Sequence, residues 1–227
     1  MNTFSSAKKL CIFDLDGTLV NTIADLAASV SYALKVMVFP IRTMEEYTAF
    51  VGNGTLKLIE RSVPPEYRTD HETVRKTHEL FSRYYSDHFA DISTVYPGMP
   101  EALSELKKRG ISLAVLTNKP DAFAKPIISK FFPDGLFDIV RGAMENVPKK
   151  PDPTAEIAMM RSIGAEPDNT IHFGDSDVDV LTAHNAGIRC VGCSWGFRTE
   201  ESLVAAGAEF IVKTPMEILK AVELFGW

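Results

Sequence analysis

The chain has 227 residues, 45% of them hydrophobic and 24% charged, with a formal net charge of −6. This is the composition of a globular protein with enough chain for a substantial core, in one domain or one domain plus an inserted module. The acidic balance without a dense Lys/Arg run argues against a nucleic-acid face, no stretch approaches the ~20 apolar residues of a membrane span, and the three cysteines make no disulfide framework.

The chain starts MNTFSSAKKL, with two lysines, but the LCIF that closes on Asp14 is shorter than the apolar region of a signal peptide, so a cytoplasmic protein is expected. LCIF (10–13) itself predicts a buried strand. From about residue 20 to 90 the pattern is helical. IADLAASVSYAL (23–34) places Ile23, Leu26, Ala27 and Val30 on one face, and TLKLIERSV (55–63) and HETVRKTHELFSRYYSDHF (71–89) follow, separated by Pro64-Pro65. The sheet pattern resumes near Tyr96-Pro97-Gly98, with a helix over Pro100–Arg109 that buries Leu103 and Leu106 and stops at Gly110. Strands are predicted at ISLAVLT (111–117), FDIV (137–140), TIHF (170–173), IRCVG (188–192) and EFIV (209–212). Pro126 either belongs to the first turn of a helix or kinks it. A further helix over Val178–Ala186 has Val178, Leu181 and Asn185 at helical spacing.

The strand runs are continuously apolar, as in parallel strands covered on both faces. Strand–helix alternation then predicts an α/β fold with a doubly wound parallel sheet, residues 1–17 and 90–227, and an inserted α-helical cap, residues 18–89. A helical module over the open end of such a sheet suits a lid that excludes water.

Ligands of these sheets bind beyond the carboxyl ends of the strands. Asp14 and Asp16 follow the first strand, Thr117 and Asn118 the second, and Gly174-Asp175 the fourth, with Asp179 near the start of the next helix. If the first strand lies between the second and fourth, these groups converge. Carboxylates so crowded call for a hard cation, and Mg²⁺ prefers a few carboxylates with waters and phosphate oxygens. Thr117, Asn118 and Lys150 offer donors to a phosphate, and the turn at Gly17-Thr18 presents backbone N–H groups. Lys149 is the alternative to Lys150, which directly precedes Pro151.

DLDGT (14–18), TN (117–118), Lys150 before Pro151 and GDSDVD (174–179) resemble, in order and spacing, the four motifs of the haloacid dehalogenase superfamily. The resemblance covers essentially the whole chain. Within the superfamily, VGNGTLKLIERSV, VYPGMPEAL, LTNKPDAFAKPII, KKPDP and SWGFRTEESLVAAGAEFIV are similar to stretches of the phosphoglycolate phosphatases. KVMVFPIRT (35–43) departs from them, since relatives more often have a glycine-containing turn there.

The resemblance implies a phosphatase acting on a small phosphorylated acid, most readily phosphoglycolate. Asp14 would be the nucleophile, and Asp16 the acid and then the base. Mg²⁺ would be held by Asp14, the Asp16 carbonyl and Asp175, with Asp179 behind them orienting Lys150 or a water. Thr117, Asn118, Lys150 and the Gly17 turn would bind the phosphoryl oxygens. Relatives that cleave carbon–halogen bonds carry an aromatic residue in place of Asp16, so the acid favours phosphate esters. A pyrophosphatase, nucleotidase or sugar-phosphate mutase would use the same core, and a catalytically silent binding protein the same fold. The expected partner is a small phosphorylated substrate, without nucleic acid or membrane, bound by a monomer or weak homodimer.

The remaining residues have plainer readings. Gly52-Asn53-Gly54 is either a simple turn or a cap contact to substrate through Asn53 and Gly54. His172 reads as a satisfied core histidine, and His71, His78, His88 and His184 as solvated helix residues. Asp177 reads as a helix N-terminal charge, Trp195 and Phe197 as packing or crevice groups, and Cys190 and Cys193 as small strand residues.

Overall fold

In the computed structural model, which describes residues 8–227, LCIF forms β1 (Leu10–Phe13), buried at every position. The first seven residues of the N-terminal stretch weighed against a signal peptide lie outside the described residues. The other strands are β2 (Val20–Asn21), β3 (Thr94–Val95), β4 (Ser112–Pro120), β5 (Ile139–Ala143), β6 (Thr170–Gly174), β7 (Arg189–Cys193) and β8 (Phe210–Val212). Six of them form one parallel sheet in the order β5-β4-β1-β6-β7-β8. β1 therefore sits between the strands expected at 111–117 and 170–173, and the ends of all three open on the same edge.

Alternate residues of β1 divide between two cores. Cys11 and Phe13 join one with α5 (Met99–Lys108) and α6 (Asp121–Phe131), and Phe13 stacks on Phe173 at 4.9 Å. Leu10 and Ile12 join the other with α7 (Thr154–Ile163), α8 (Asp177–Ala186) and α9 (Glu200–Ala206), while α10 (Ile218–Leu224) returns to the first face. Cys190 and Cys193, three apart on β7, fall on opposite faces, both buried and free, with burial pushing their thiols up.

Between β2 and β3 lie α1 (Ile23–Val36), α2 (Met44–Phe50), α3 (Thr55–Ser62) and α4 (His71–His88), around a core of their own that includes Leu26, Val30, Ile59, Phe81 and Tyr85. The chain passes out and back through a two-residue antiparallel ribbon, Val20 opposite Val95 and Asn21 opposite Thr94. Buried Asp25, in the first turn of α1, fastens this junction by accepting from Ile92 N (3.0 Å), Ser93 N (2.7 Å) and Ser93 Oγ (2.5 Å). No helix among the described residues is long and apolar enough to cross a membrane.

Four expectations need correction. β4 runs through Asn118 and Lys119 to Pro120 and does not stop at 117, and β5 starts at Ile139 because Asp138 is spent on Leu113, donating N–H to its carbonyl (2.7 Å) and accepting its N–H (2.9 Å). Of the two readings left open for Pro126, the first turn is excluded: the residue lies inside α6 and withholds the N–H that Ala122 would accept. Leu181 is 43% exposed; α8 instead buries Asp179, Val180, Thr182 and Ala183, because a capping box of Ser176 and Asp179 rotates Asp179 inward. His78 is half-buried against Thr55, with Nε2 2.9 Å from Oγ1, so it is not a solvated helix residue.

Candidate active site

Asp14 emerges from β1 into a buried cluster with Asp175, after β6, and Asp179, in α8; each offers a carboxylate oxygen within 4.8 Å of the others. Lys150 Nζ lies 2.6 Å from Asp179 Oδ1 and 2.9 Å from Asp14 Oδ1. Lys149 is exposed and outside this cluster, so Lys150 is the lysine that stands within it. Asp179 is fixed on its other oxygen by Ser176 N (3.0 Å) and Ser176 Oγ (2.6 Å). Asp175 accepts from Phe197 N (2.7 Å) and Thr18 Oγ1 (3.3 Å).

Glycine is required where the chain crosses this cluster. Gly17 has φ +89°, and a Cβ there would stand 2.3 Å from Asp175 Oδ2. At Gly174 a Cβ would meet Asp179 Cγ at 2.2 Å. Gly17 thus lets the two acidic loops close on each other, and Gly174 lets Asp179 fold back over the end of β6.

Burial sets the charges. It pushes the Asp14 carboxyl up to about 6 against the pull of Lys150. Asp175 is raised well above the carboxylate range by burial and then by the charges of Asp179 and Asp14. Asp179 is buried too, but the Lys150 cation and the His172 contact outweigh desolvation and hold it below that range. His172 is indeed buried and satisfied, though by charged groups: Nδ1 is 2.5 Å from Glu156 Oε1 and Nε2 is 3.3 Å from Asp179 Oδ1. Burial opposes its charge, but the acid at each nitrogen raises its pKa to about 9, which favours the imidazolium.

Asp16 stands apart from this cluster. Its Oδ1 accepts from Thr22 Oγ1 (2.6 Å) and Lys119 Nζ (2.9 Å), and its Oδ2 from Lys119 Nζ (3.1 Å). The two acids of DLDGT therefore have separate partners in one cleft, whose walls include Thr117, Asn118, Gly54, Phe197 and Arg198. Asn118 Nδ2 donates to Gly52 O and Lys150 O, both at 3.1 Å. Gly54 lines the cleft, whereas Asn53 turns its amide oxygen to Arg61 (2.8 Å). Trp195 Nε1 donates to Thr18 O at 3.0 Å and packs against the sheet core, and Asp177 is exposed at the start of α8.

A family model for haloacid dehalogenase-like hydrolases matches residues 11–193. The chain belongs to this family. A protein named phosphoglycolate phosphatase from Mannheimia succiniciproducens is 34% identical over 224 residues, covering 96% of this chain and 100% of that one. A second protein of that name, from Haemophilus influenzae strain 86-028NP, is 33% identical over 208 residues, covering 89% and 93%. Among solved structures, a predicted phosphoglycolate phosphatase from Haemophilus somnus superposes with a TM-score of 0.88 at 32% identity, covering 95% of this chain and 98% of that one. A predicted phosphatase from Clostridium acetobutylicum gives 0.85 at 28%, covering 96% and 100%.

The acidic cluster fits a divalent cation. Its donors are all oxygens, and two of its carboxyls are pushed up by burial. Asp14 Oδ1 is buried and meets only the Lys150 ammonium, 2.9 Å away, among the described residues. A hard cation suits such a set.

Lys119 and Arg198 are the cleft residues that sequence reasoning misses. Lys119 does leave a signal: a lysine at the end of an apolar strand pattern, directly after Thr117-Asn118, is costly to bury without an acid. Arg198 leaves none, since its partners are backbone carbonyls of a distant helix.

Proposed function

We propose that this hydrolase is a Mg²⁺-dependent phosphatase of small phosphorylated acids, phosphoglycolate first among them. The observation that carries this reading is the division of labour between Asp14 and Asp16. Asp14 lies in the acidic cluster beside Lys150, and Asp16 lies in the same cleft, outside that cluster. A nucleophile and a proton carrier need this separation, because neither can replace the other during attack. The names of the relatives support the substrate class.

In this reading a carboxylate oxygen of Asp14 attacks phosphorus. The bond from phosphorus to the ester oxygen breaks, Asp16 gives that oxygen a proton, and the alcohol leaves an aspartyl-phosphate behind. Asp16 then takes a proton from water as the water attacks phosphorus, releasing inorganic phosphate and restoring Asp14. Lys150, Thr117 and the N–H groups of the Gly17 turn bind the phosphoryl oxygens, where charge concentrates during transfer, while Asn118, its amide committed to Gly52 O and Lys150 O, ties the Lys150 loop and the helical layer to the end of β4. Mg²⁺ would be held by Asp14, Asp175 and the Asp16 carbonyl, with Asp179 behind them, and would supply neutralisation of phosphoryl charge. Closure of the helical cluster over the cleft excludes bulk water.

The test is phosphate release from phosphoglycolate with and without Mg²⁺, beside sugar phosphates, nucleotides and pyrophosphate, with Asp14→Asn as the blank. Mg²⁺-dependent release from phosphoglycolate that the variant lacks is the expected result. Preference for another compound would move the substrate and keep the chemistry. No release from any of them by folded protein would overturn the reading.

A further inference from the structure

We propose that Lys119 is the positioning residue of the proton carrier: it clamps the Asp16 carboxylate on the side of the cleft away from the Asp14 cluster. This rests on the phosphatase reading above. The Lys119 side chain is 1% exposed, while that of Asp16 is 13% exposed and faces the cleft. A buried ammonium needs an anion, and the one hydrogen-bonded to it is Asp16, through both oxygens. Thr22, the residue just before α1, holds the same carboxylate through its hydroxyl. A third wall comes from α4, where the ring of Tyr85 lies 4.9 Å from Nζ, itself wedged edge-on against Phe123 (5.0 Å) and stacked on Phe81 (5.2 Å).

The clamp suits both halves of the cycle. An ammonium N–H can be accepted by a carboxylate and equally by the carbonyl oxygen of a carboxylic acid. Asp16 can thus lose and regain its proton without swinging. Without Lys119, only Thr22 would restrain it, and nothing beside it would balance its charge. A rotated carboxyl is a poor proton donor to the ester oxygen but no obstacle to attack by Asp14 on an ester whose leaving group needs no proton.

That asymmetry supplies the test. kcat/KM reports the steps up to loss of the alcohol, so it isolates the first transfer. Phosphoglycolate leaves as an alkoxide that needs a proton; p-nitrophenyl phosphate leaves as a stable phenolate. Lys119→Met is expected to lower kcat/KM for phosphoglycolate about 10²-fold and for the nitrophenyl ester by less than about fivefold, the pattern also expected of Asp16→Asn. Lys119→Arg, which keeps a cation, should recover part of the loss. If Lys119→Met does not fold, as judged by near-UV circular dichroism, Thr22→Val frees the same carboxylate from its other side and should show the same selective loss. Equal losses on both esters in the folded variants would overturn the clamp and leave the phosphatase reading intact. Wild-type protein inactive on both esters would overturn both.

Discussion

The guanidinium of Arg198, from the loop after β7, donates to the backbone carbonyl of Val51 at 2.6 Å. It also donates to Thr48 O at 2.9 Å. Both acceptors lie at the end of α2, where helix carbonyls lack partners and a cation is favoured. One side chain of the sheet layer thus fastens the helical layer across the cleft. Arg198→Ala should loosen closure, raising KM for the preferred substrate about tenfold with kcat changed less than about threefold, at a cost of roughly 1–2 kcal/mol. Steady-state kinetics would show it, and limited proteolysis should cut the Gly52–Gly54 loop faster in the variant.

Val38 offers a stabilising change. It has φ +59°, is 91% exposed, and follows α1 in a Schellman-type turn in which Phe39 N donates to Leu34 O at 2.8 Å. A β-branched residue in this conformation costs about 1–2 kcal/mol, of which glycine's greater freedom when unfolded returns part. Val38→Gly is expected to raise the unfolding free energy by about 0.5–1 kcal/mol. Urea denaturation would report this as a higher midpoint at unchanged slope; a lower midpoint would mean that the valine is not strained.

Burial opposes the charge on His172, but Glu156 and Asp179 outweigh it and raise its pKa from 6.5 to about 9. A group raised on folding contributes stability that is complete below the unfolded value and is lost as pH rises through the folded one. The contribution of His172 is therefore full at pH 6.5 and below and fades towards pH 9, by at most about 3 kcal/mol. The stability difference between wild type and His172→Gln, taken from urea curves at several pH values, should shrink over that interval. A difference constant from about pH 6 to about pH 9 would contradict the imidazolium.

Asp175 is held in the fold at an electrostatic cost. Its carboxyl is raised by burial and by two neighbouring acids, so it resists ionising without a cation. In chelator-treated protein, Asp175→Asn should be as stable as wild type or more so. Added Mg²⁺ at about 100 times its Kd should stabilise wild type by about 2.7 kcal/mol and the variant far less. Thermal melts of both proteins with and without the ion would decide it.

The strand β1 and the acidic residues at the strand ends were legible in the sequence, because a continuous apolar run that stops at acids fits the mouth of a buried parallel strand and little else; the place of β1 between the strands at 111–117 and 170–173 was a condition that the sequence did not supply and the sheet order meets. Lys150 was legible through Pro151. The inward turn of Asp179 was not, because periodicity alone favours Leu181 and only the capping box with Ser176 overrides it. Nor were β2 and β3, each two residues long, which give no run to read. Arg198 and the Glu156–His172 pair act through contacts between segments far apart in the chain, which leave no local pattern; Lys119 leaves only its place at the end of an apolar strand run, and its partner Asp16 is equally remote.

The ribbon of β2 and β3 has an evolutionary consequence. The two ends of the helical insertion meet side by side, Asn21 opposite Thr94, so the sheet imposes no span on whatever is spliced between them. A longer, shorter or differently folded insert can be grafted there without stretching the scaffold. The acidic cluster at the sheet edge and the helical layer over it can then diversify at different rates, as separable cassettes of one chain.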